Sequence, residues 1–424
     1  MQTTRPKENH QATELKQTEL RPPAAPPQKP ASPLAIAAKS QAVRALLLVV
    51  LANLALVVTN PFKNVDPDSL PTLKSWVFWT TQDFAHQKPP AKVALLGSSL
   101  LMNSVWMQEA EHIQKPVDIV INHRTTYLES VLKSYIPTYS GPAFNFGLPG
   151  GMVSDDYMLS RTQFVGERIP KVVVLCLGPR DLMDTSFSCA GATTPFKYLE
   201  RYTDTRDLLD LAYTSTWPKI NYLLREAVYF VGKKWHSQIF VSESTKSLLK
   251  PEIENLSTKS PLNQKTDWDK QFAFYRSEVE KGVFIAKPNV QTVGFFDNGK
   301  DWKKRFKNPN DAMFKNQLTW LNMTVDLLHS KGVTPVIVNM PMSKLGLSVV
   351  PPGIYERHVS TLEKLAADKK LLYVDTMKEG KFEADDFTDY GHMDASGGKK
   401  IVDIIGRAMA NDPTTRAILT GGGH

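Results

Sequence analysis

Lys92-Val93-Ala94-Leu95-Leu96-Gly97-Ser98-Ser99-Leu100-Leu101 passes from an apolar run, Lys92–Leu96, through a Gly-Ser-Ser turn into a second apolar segment. A run that is apolar on both sides of the pleat marks a strand buried on both faces, as in a parallel sheet covered by helices. Four more runs of this kind follow at Ala143–Phe146, Lys171–Leu177, Val333–Asn339 and Leu371–Val374. Helical stretches separate them, so the chain is expected to be α/β, with a doubly wound sheet of about five parallel strands. In one connection Phe314, Leu318, Leu321, Val325 and Leu328 recur at helical spacing, and Gly332 supplies the stop. A helix after Gly397 closes the domain, expected over 91–410, and 411–424 reads as a flexible tail.

Between about Ser186 and Asn310 the alternation stops, and the segment is rich in Lys, aromatic residues and helix-like pieces. It reads as an insertion, 186–310, over one end of the sheet. Within it Ile220–Trp235 is amphipathic, carrying Tyr222, Leu223, Val228, Tyr229, Phe230 and Val231 with Lys233-Lys234-Trp235 at its end. Such a stripe either lies on a membrane surface or, more commonly, forms a core face. The core face is the expectation.

Residues 1–41 are polar and rich in Pro and Ala, with Arg21-Pro22-Pro23-Ala24-Ala25-Pro26-Pro27 at their centre. They bury too little apolar surface to offset chain entropy and are expected to form a disordered tail. Ala45 to Phe62 carries no charge, and Ala45 to Val58 is aliphatic apart from Asn53. That is slightly short of the ~20 residues of a spanning helix, which leaves a signal-peptide core and a buried helix as rivals. The long charged region before it and the lack of a small-x-small site after it argue against a cleaved signal. A buried helix fits poorly beside a disordered tail. A transmembrane signal anchor is therefore expected over 42–62, followed by a linker over 63–90. Lys39 and Arg44 place the N-terminus in the cytoplasm, which makes the remainder extracytoplasmic, in the periplasm or at the cell surface.

With 424 residues, 42% hydrophobic and 22% charged, the chain can bury one large α/β core and carry accessory segments. The formal net charge is +8, but seven Lys/Arg against three Glu in the first 44 residues account for +4, leaving +4 beyond them. The basic residues are spread out, with no stripe interleaved with aromatics, so nucleic acid is not an expected partner. Cys176 lies in an apolar run and behaves as a small hydrophobe, and a disulfide to Cys189 is not favoured. No Cys or His has metal-ligand spacing, and no metal or other cofactor is expected.

Two segments carry candidate chemistry. In open α/β sheets ligands bind beyond the carboxyl ends of the strands, so a serine in Gly97-Ser98-Ser99 is exposed beside a helix N-terminus and suited to act as a nucleophile. Ser and Gly also simply make good turns and caps. Near the end of the chain stands Asp389-Tyr390-Gly391-His392-Met393-Asp394-Ala395-Ser396-Gly397. Its Asp389 can orient one nitrogen of His392 while the other faces a serine, the general-base arrangement of a triad. The plainer alternative is a loop histidine beside a solvated carboxylate.

Taken together, these segments resemble the SGNH/GDSL hydrolase superfamily over roughly residues 90 to 410, the insertion excluded. The resemblance implies the flavodoxin-like SGNH fold. Gly97-Ser98-Ser99 is similar to the first block, Gly-Asp-Ser, which implies Ser99 as nucleophile. Asn145-Phe146-Gly147-Leu148-Pro149-Gly150 matches the second, Asn-x-Gly-x-x-Gly, which implies an oxyanion-hole amide from Gly150 beside that of Ser99. Asp389 and His392, with Gly397 five residues on, match the last block and imply the remaining triad members. The third block departs: Gly178-Pro179-Arg180-Asp181 carries Arg180 where the superfamily has an Asn amide. A guanidinium there can hold an oxyanion, bind an anionic substrate group, or pair with Asp181 and leave the hole incomplete.

Ser98 in place of the usual Asp, with an N-terminal anchor, makes the chain similar to membrane-tethered members such as the D-alanyl-lipoteichoic-acid transfer and alginate O-acetylation proteins. The function this implies is a serine esterase or O-acyltransferase working on acyl esters of cell-envelope glycans. The implied partners are the lipid bilayer, an acylated glycan or acyl donor, and other envelope-assembly membrane proteins. The rival is a non-catalytic binding or scaffolding module for envelope polysaccharide assembly, supported by the missing Asn and the long insertion.

Overall fold

The computed structural model describes residues 40–65, 76–248 (side chains to 241), 285–289 and 295–421. Two compact units divide the chain at Pro61/Phe62. The described part of the first is the helix Gln41–Thr59, whose mean hydropathy is 2.3 and which has no buried residue. It is long and apolar enough to cross a membrane. Of the tail expected over 1–41, all but the last two residues lie outside the described residues.

The second unit is built on five parallel strands, β1 (Val93–Ser98), β2 (Ala143–Leu148), β3 (Val172–Leu177), β4 (Thr334–Asn339) and β5 (Leu372–Asp375). Their order is β2-β1-β3-β4-β5. All five expected runs become strands because each feeds two cores at once. Val93, Leu95, Val172 and Val174 point into a cluster with Leu101, Ile401 and Ile405, from the helices Ser99–Ile113 and Ala395–Asn411. Ala94, Leu96, Val173 and Leu175 point the other way, to Met158, Trp320 and Leu362 on Val153–Thr162, Asp311–Ser330 and Ile354–Lys369. At about 1.5–3 kcal/mol per fully buried aliphatic side chain, this two-sided burial dominates the fold's favourable energy. The order reverses direction between β1 and β3, and such a switch point opens a crevice beyond the strand ends.

Several boundaries differ from expectation. The stretch read as a linker over 63–90 contains the helix Trp76–His86, whose Val77, Phe78, Trp79 and Phe84 are buried. Aromatic packing of Phe84 on Phe144 and Phe146 overrides the Pro/Asp-rich look of its surroundings. The segment read as a loose tail from 411 carries the helix Pro413–Thr420, pinned by buried Leu419 and by Lys92 Nζ donating to the Leu419 carbonyl at 2.8 Å. The insertion 186–310 does not merely cover the sheet, since Phe196, Leu199 and Leu208 join one core and Trp302 and Phe306 the other. Most of its middle, 249–284, lies outside the described residues. Finally, the core face expected over Ile220–Trp235 holds only for Tyr222 and Tyr229; Leu223, Phe230 and Val231 are exposed.

Candidate active site

Each strand of the switch point ends in a turn that delivers a side chain. After β1, Ser98 caps the helix Ser99–Ile113, its Oγ accepting from Leu100 N at 3.4 Å, and is buried. Ser99, the next residue, is half-buried at the cleft mouth. Close approach is permitted by glycines: a Cβ on Gly97 would lie 2.6 Å from the Cys176 carbonyl of β3, and one on Gly147 would lie 2.7 Å from Met102 N of the helix. Within β2, Asn145 Oδ1 accepts from Gly147 N at 2.8 Å, and beyond its end Gly150 turns the chain with a left-handed φ of +70°. After β3 comes Gly178, then Arg180 in the short helix Pro179–Leu182.

The loop 389–392 brings the distal partners to Ser99. His392 Nε2 lies 2.9 Å from Ser99 Oγ across 293 residues of sequence, and His392 Nδ1 lies 2.6 Å from Asp389 Oδ2. Asp389 is nearly saturated with donors. Its Oδ1 accepts from Gly391 N and His392 N at 2.7 and 2.8 Å, and its Oδ2 also accepts from Asn298 Nδ2 at 2.8 Å. Burial opposes the charge on Asp389, but the hydrogen bond and charge of His392 and the two backbone N–H groups outweigh it and hold the carboxyl below its usual range. An ionised Asp389 can only accept, so a neutral His392 ring carries its proton on Nδ1 and presents Nε2 as a base toward Ser99.

A cleft of about 230 Å³ opens on this relay, lined by Ser99, His392, Arg180, Asn298, Trp302 and Arg305 among others. Arg180 is 2% exposed; its Nη1 lies 3.4 Å from Asp181 Oδ1 and its Nη2 3.1 Å from Asp184 Oδ2. Arg305 Nη1 meets the same Asp184 oxygen at 2.5 Å. Burial works against the Asp184 charge, but Arg180 and Arg305 more than compensate and lower its pKa. Asp181 goes the other way, because burial outweighs its Arg180 partner. Arg180 Nε is buried with no hydrogen-bond partner, an unsatisfied donor of a kind that is rare in folded proteins.

The structure thus brings together Ser99, His392, Asp389 and Arg180. Gly150 stands at the end of β2, next to β1, but is not among the residues lining the cleft. Of the three roles open to Arg180, pairing with Asp181 is present. Sequence reasoning missed Asn298, Trp302 and Arg305, which come from the C-terminal end of the insertion. Trp302 lies edge-on to the His392 ring, centroids 6.1 Å apart, and a Cβ on Gly391 would sit 2.4 Å from it. No periodic pattern marks this segment; the available hint was Gly391, a residue small enough to admit an indole.

A second relay shows what geometry alone does not supply. Asp83 Oδ2 lies 2.9 Å from His123 Nδ1, and His123 Nε2 lies 3.0 Å from Thr80 Oγ1. Thr80 and His123 are buried, however, Thr80 Oγ1 already donates to the Trp76 carbonyl, and the His123 ring stacks on Phe144. This relay is a structural network, whereas that of Ser99 faces a cleft. Among the described residues no group of His, Cys, Asp and Glu is arranged to hold a metal. The chain matches no family model and no curated protein.

Proposed function

We propose that this chain is a membrane-anchored, extracytoplasmic serine esterase or O-acyltransferase of the SGNH type, acting on acyl esters of cell-envelope glycans. The observation that carries the reading is the Asp389–His392–Ser99 relay of 2.6 and 2.9 Å opening on a cleft at the sheet's switch point. As Ser99 Oγ bonds to the acyl carbon, its proton passes to His392 Nε2 and the carbonyl π pair moves onto oxygen. Arg180 Nε–H and the backbone amides at Ser99 and Gly150 are assigned to that oxyanion. Collapse expels the alkoxide, which takes the proton from Nε2 and leaves an acyl-Ser99. Water or a sugar hydroxyl, deprotonated by Nε2, then resolves it. The glycan substrate rests on the resemblance and on the anchoring helix Gln41–Thr59.

The rival, a non-catalytic scaffold for envelope assembly, draws support from the ties of both Arg180 Nη groups to carboxylates. A fluorophosphonate probe on the detergent-solubilised full-length chain separates the two, with the adduct located by mass spectrometry. The expected adduct is on Ser99, lost in Ser99→Ala and His392→Ala, with the double variant scarcely worse than either single one. An adduct on Ser98 refutes the nucleophile assignment. No serine adduct, with ester and acyl-sugar substrates untouched, establishes the scaffold.

A further inference from the structure

The helices Thr216–Ala227, Tyr229–Gly232 and Lys234–Leu248 turn apolar residues outward instead of inward. On the first, Trp217, Ile220 and Leu224 share one face at i, i+3 and i+7 and, with Leu223, are 39–67% exposed, while Tyr222 points into the core. On the two helices that follow, Phe230, Val231, Trp235 and Phe240 are exposed as well. Helices whose outward face is the apolar one are unusual in an aqueous domain, and successive helices that each expose large apolar side chains mark an interaction surface. Its composition is that of a membrane interface: two tryptophans, aliphatic and Phe side chains, and Lys233 and Lys234, with Lys234 Nζ 5.1 Å from the Trp235 ring centre.

The chain also fixes where this patch is tethered. Phe62 is buried against it, its ring stacked on Tyr229 at 5.8 Å and beside Phe230 and Phe240 at 6.2 and 5.4 Å. The Phe62 backbone N donates to Tyr229 Oη at 3.1 Å. The apolar helix ends at Thr59, three residues earlier, and three residues of extended chain reach only about 10 Å. We infer that this aromatic-rich surface lies in the headgroup region of the same bilayer that holds Gln41–Thr59, an inference that rests on that helix being membrane-embedded. The occupant is lipid, because a patch tied within about 10 Å of a membrane exit meets the interface before any soluble partner. The surface then restrains the Ser99 unit at the membrane instead of leaving it on a swinging tether.

The test uses full-length protein in phosphatidylcholine/phosphatidylglycerol vesicles, with nitroxides at single introduced cysteines, Val50→Cys, Leu223→Cys, Phe230→Cys and Lys364→Cys. Native Cys176 and Cys189 are buried. Collisions with lipid-soluble oxygen and with an aqueous nickel chelate are compared. Positions 50, 223 and 230 are expected to be shielded from the chelate at least about tenfold relative to 364 and to favour oxygen, as side chains set ~5–10 Å into the interface should. If position 50 is lipid-shielded while 223 and 230 match 364, the anchor stands and the surface inference is overturned. If position 50 also meets the chelate freely, the anchor has failed and the inference falls with it.

Discussion

Ser98 and Ser99 are neighbours with opposite environments. Ser98 is 1% exposed and capped onto Leu100 N, while Ser99 faces the cleft, so Ser98→Ala is expected to cost about 1 kcal/mol of stability as a lost cap and to keep most activity. Arg180 needs a subtler substitution. Removing the guanidinium would leave Asp181 and Asp184 buried beside a single remaining cation, Arg305, and unpairing a buried charge costs about 3–5 kcal/mol. Arg180→Ala would therefore confuse folding with chemistry. Arg180→Lys keeps the charge but removes the Nε–H. The expected outcome is an acyl-transfer or probe-labelling rate lower by about 10²-fold, the scale of one lost oxyanion donor, with a smaller drop in melting temperature than Arg180→Ala gives. An unchanged rate would make Arg180 purely structural.

Among elements, the contact between the helices Ser99–Ile113 and Ala395–Asn411 matters most for the site, because each begins at one half of the relay. Gly398 permits that contact: a Cβ there would lie 1.8 Å from the Ser104 carbonyl, which is backbone and cannot yield. Asp394 fixes the start of the second helix, accepting from Ser396 N and Gly397 N at 2.8 and 3.0 Å. Gly398→Ala is expected to destabilise by about 1–3 kcal/mol or more through overpacking. It should also slow Ser99 labelling, since separating the helices lengthens the bond from His392 Nε2 to Ser99 Oγ. Urea unfolding and labelling kinetics on one preparation check both effects, and a variant of unchanged stability would mean the helices re-seat at no cost.

Across the whole second unit, buried carboxylates set the pH dependence of stability. Burial pushes Asp155 up to about 7 and raises Asp156 well above its ordinary range, the latter helped by Asp181 and Asp155. For such a group the native state binds more protons than the unfolded state between the two pKa values, so stability falls as pH rises from about 4 to about 7. Asp389 and Asp184, held low, act oppositely: their stabilisation is present above about 4 and lost only as pH drops below that. Unfolding midpoints are therefore expected to be higher near pH 5 than near pH 8. Asp156→Asn should raise the pH 8 midpoint and leave the pH 5 value nearly unchanged. Equal gains at both pH values would locate the effect outside this ionisation.

Short-range patterning determined the five strands, the helical stripe 314–328, an apolar span expected over 42–62 and the pairing of Asp389 with His392, because each depends on periodicity or on residues three apart. Ser99 and Arg180 were singled out differently, by the resemblance of the segments after two of the strands to the SGNH/GDSL blocks. Other features depend on partners remote in sequence. Asn298 becomes a donor to Asp389 only when residues 91 apart meet, and Trp302 reaches His392 only because Gly391 leaves room. Trp76–His86 looked like linker because its partners Phe144 and Phe146 lie over fifty residues away. Amphipathicity at 220–235 was legible, yet which face turned outward was not, since periodicity fixes the existence of an apolar stripe and only packing against Phe62 and the core decides which residues it leaves to the surroundings.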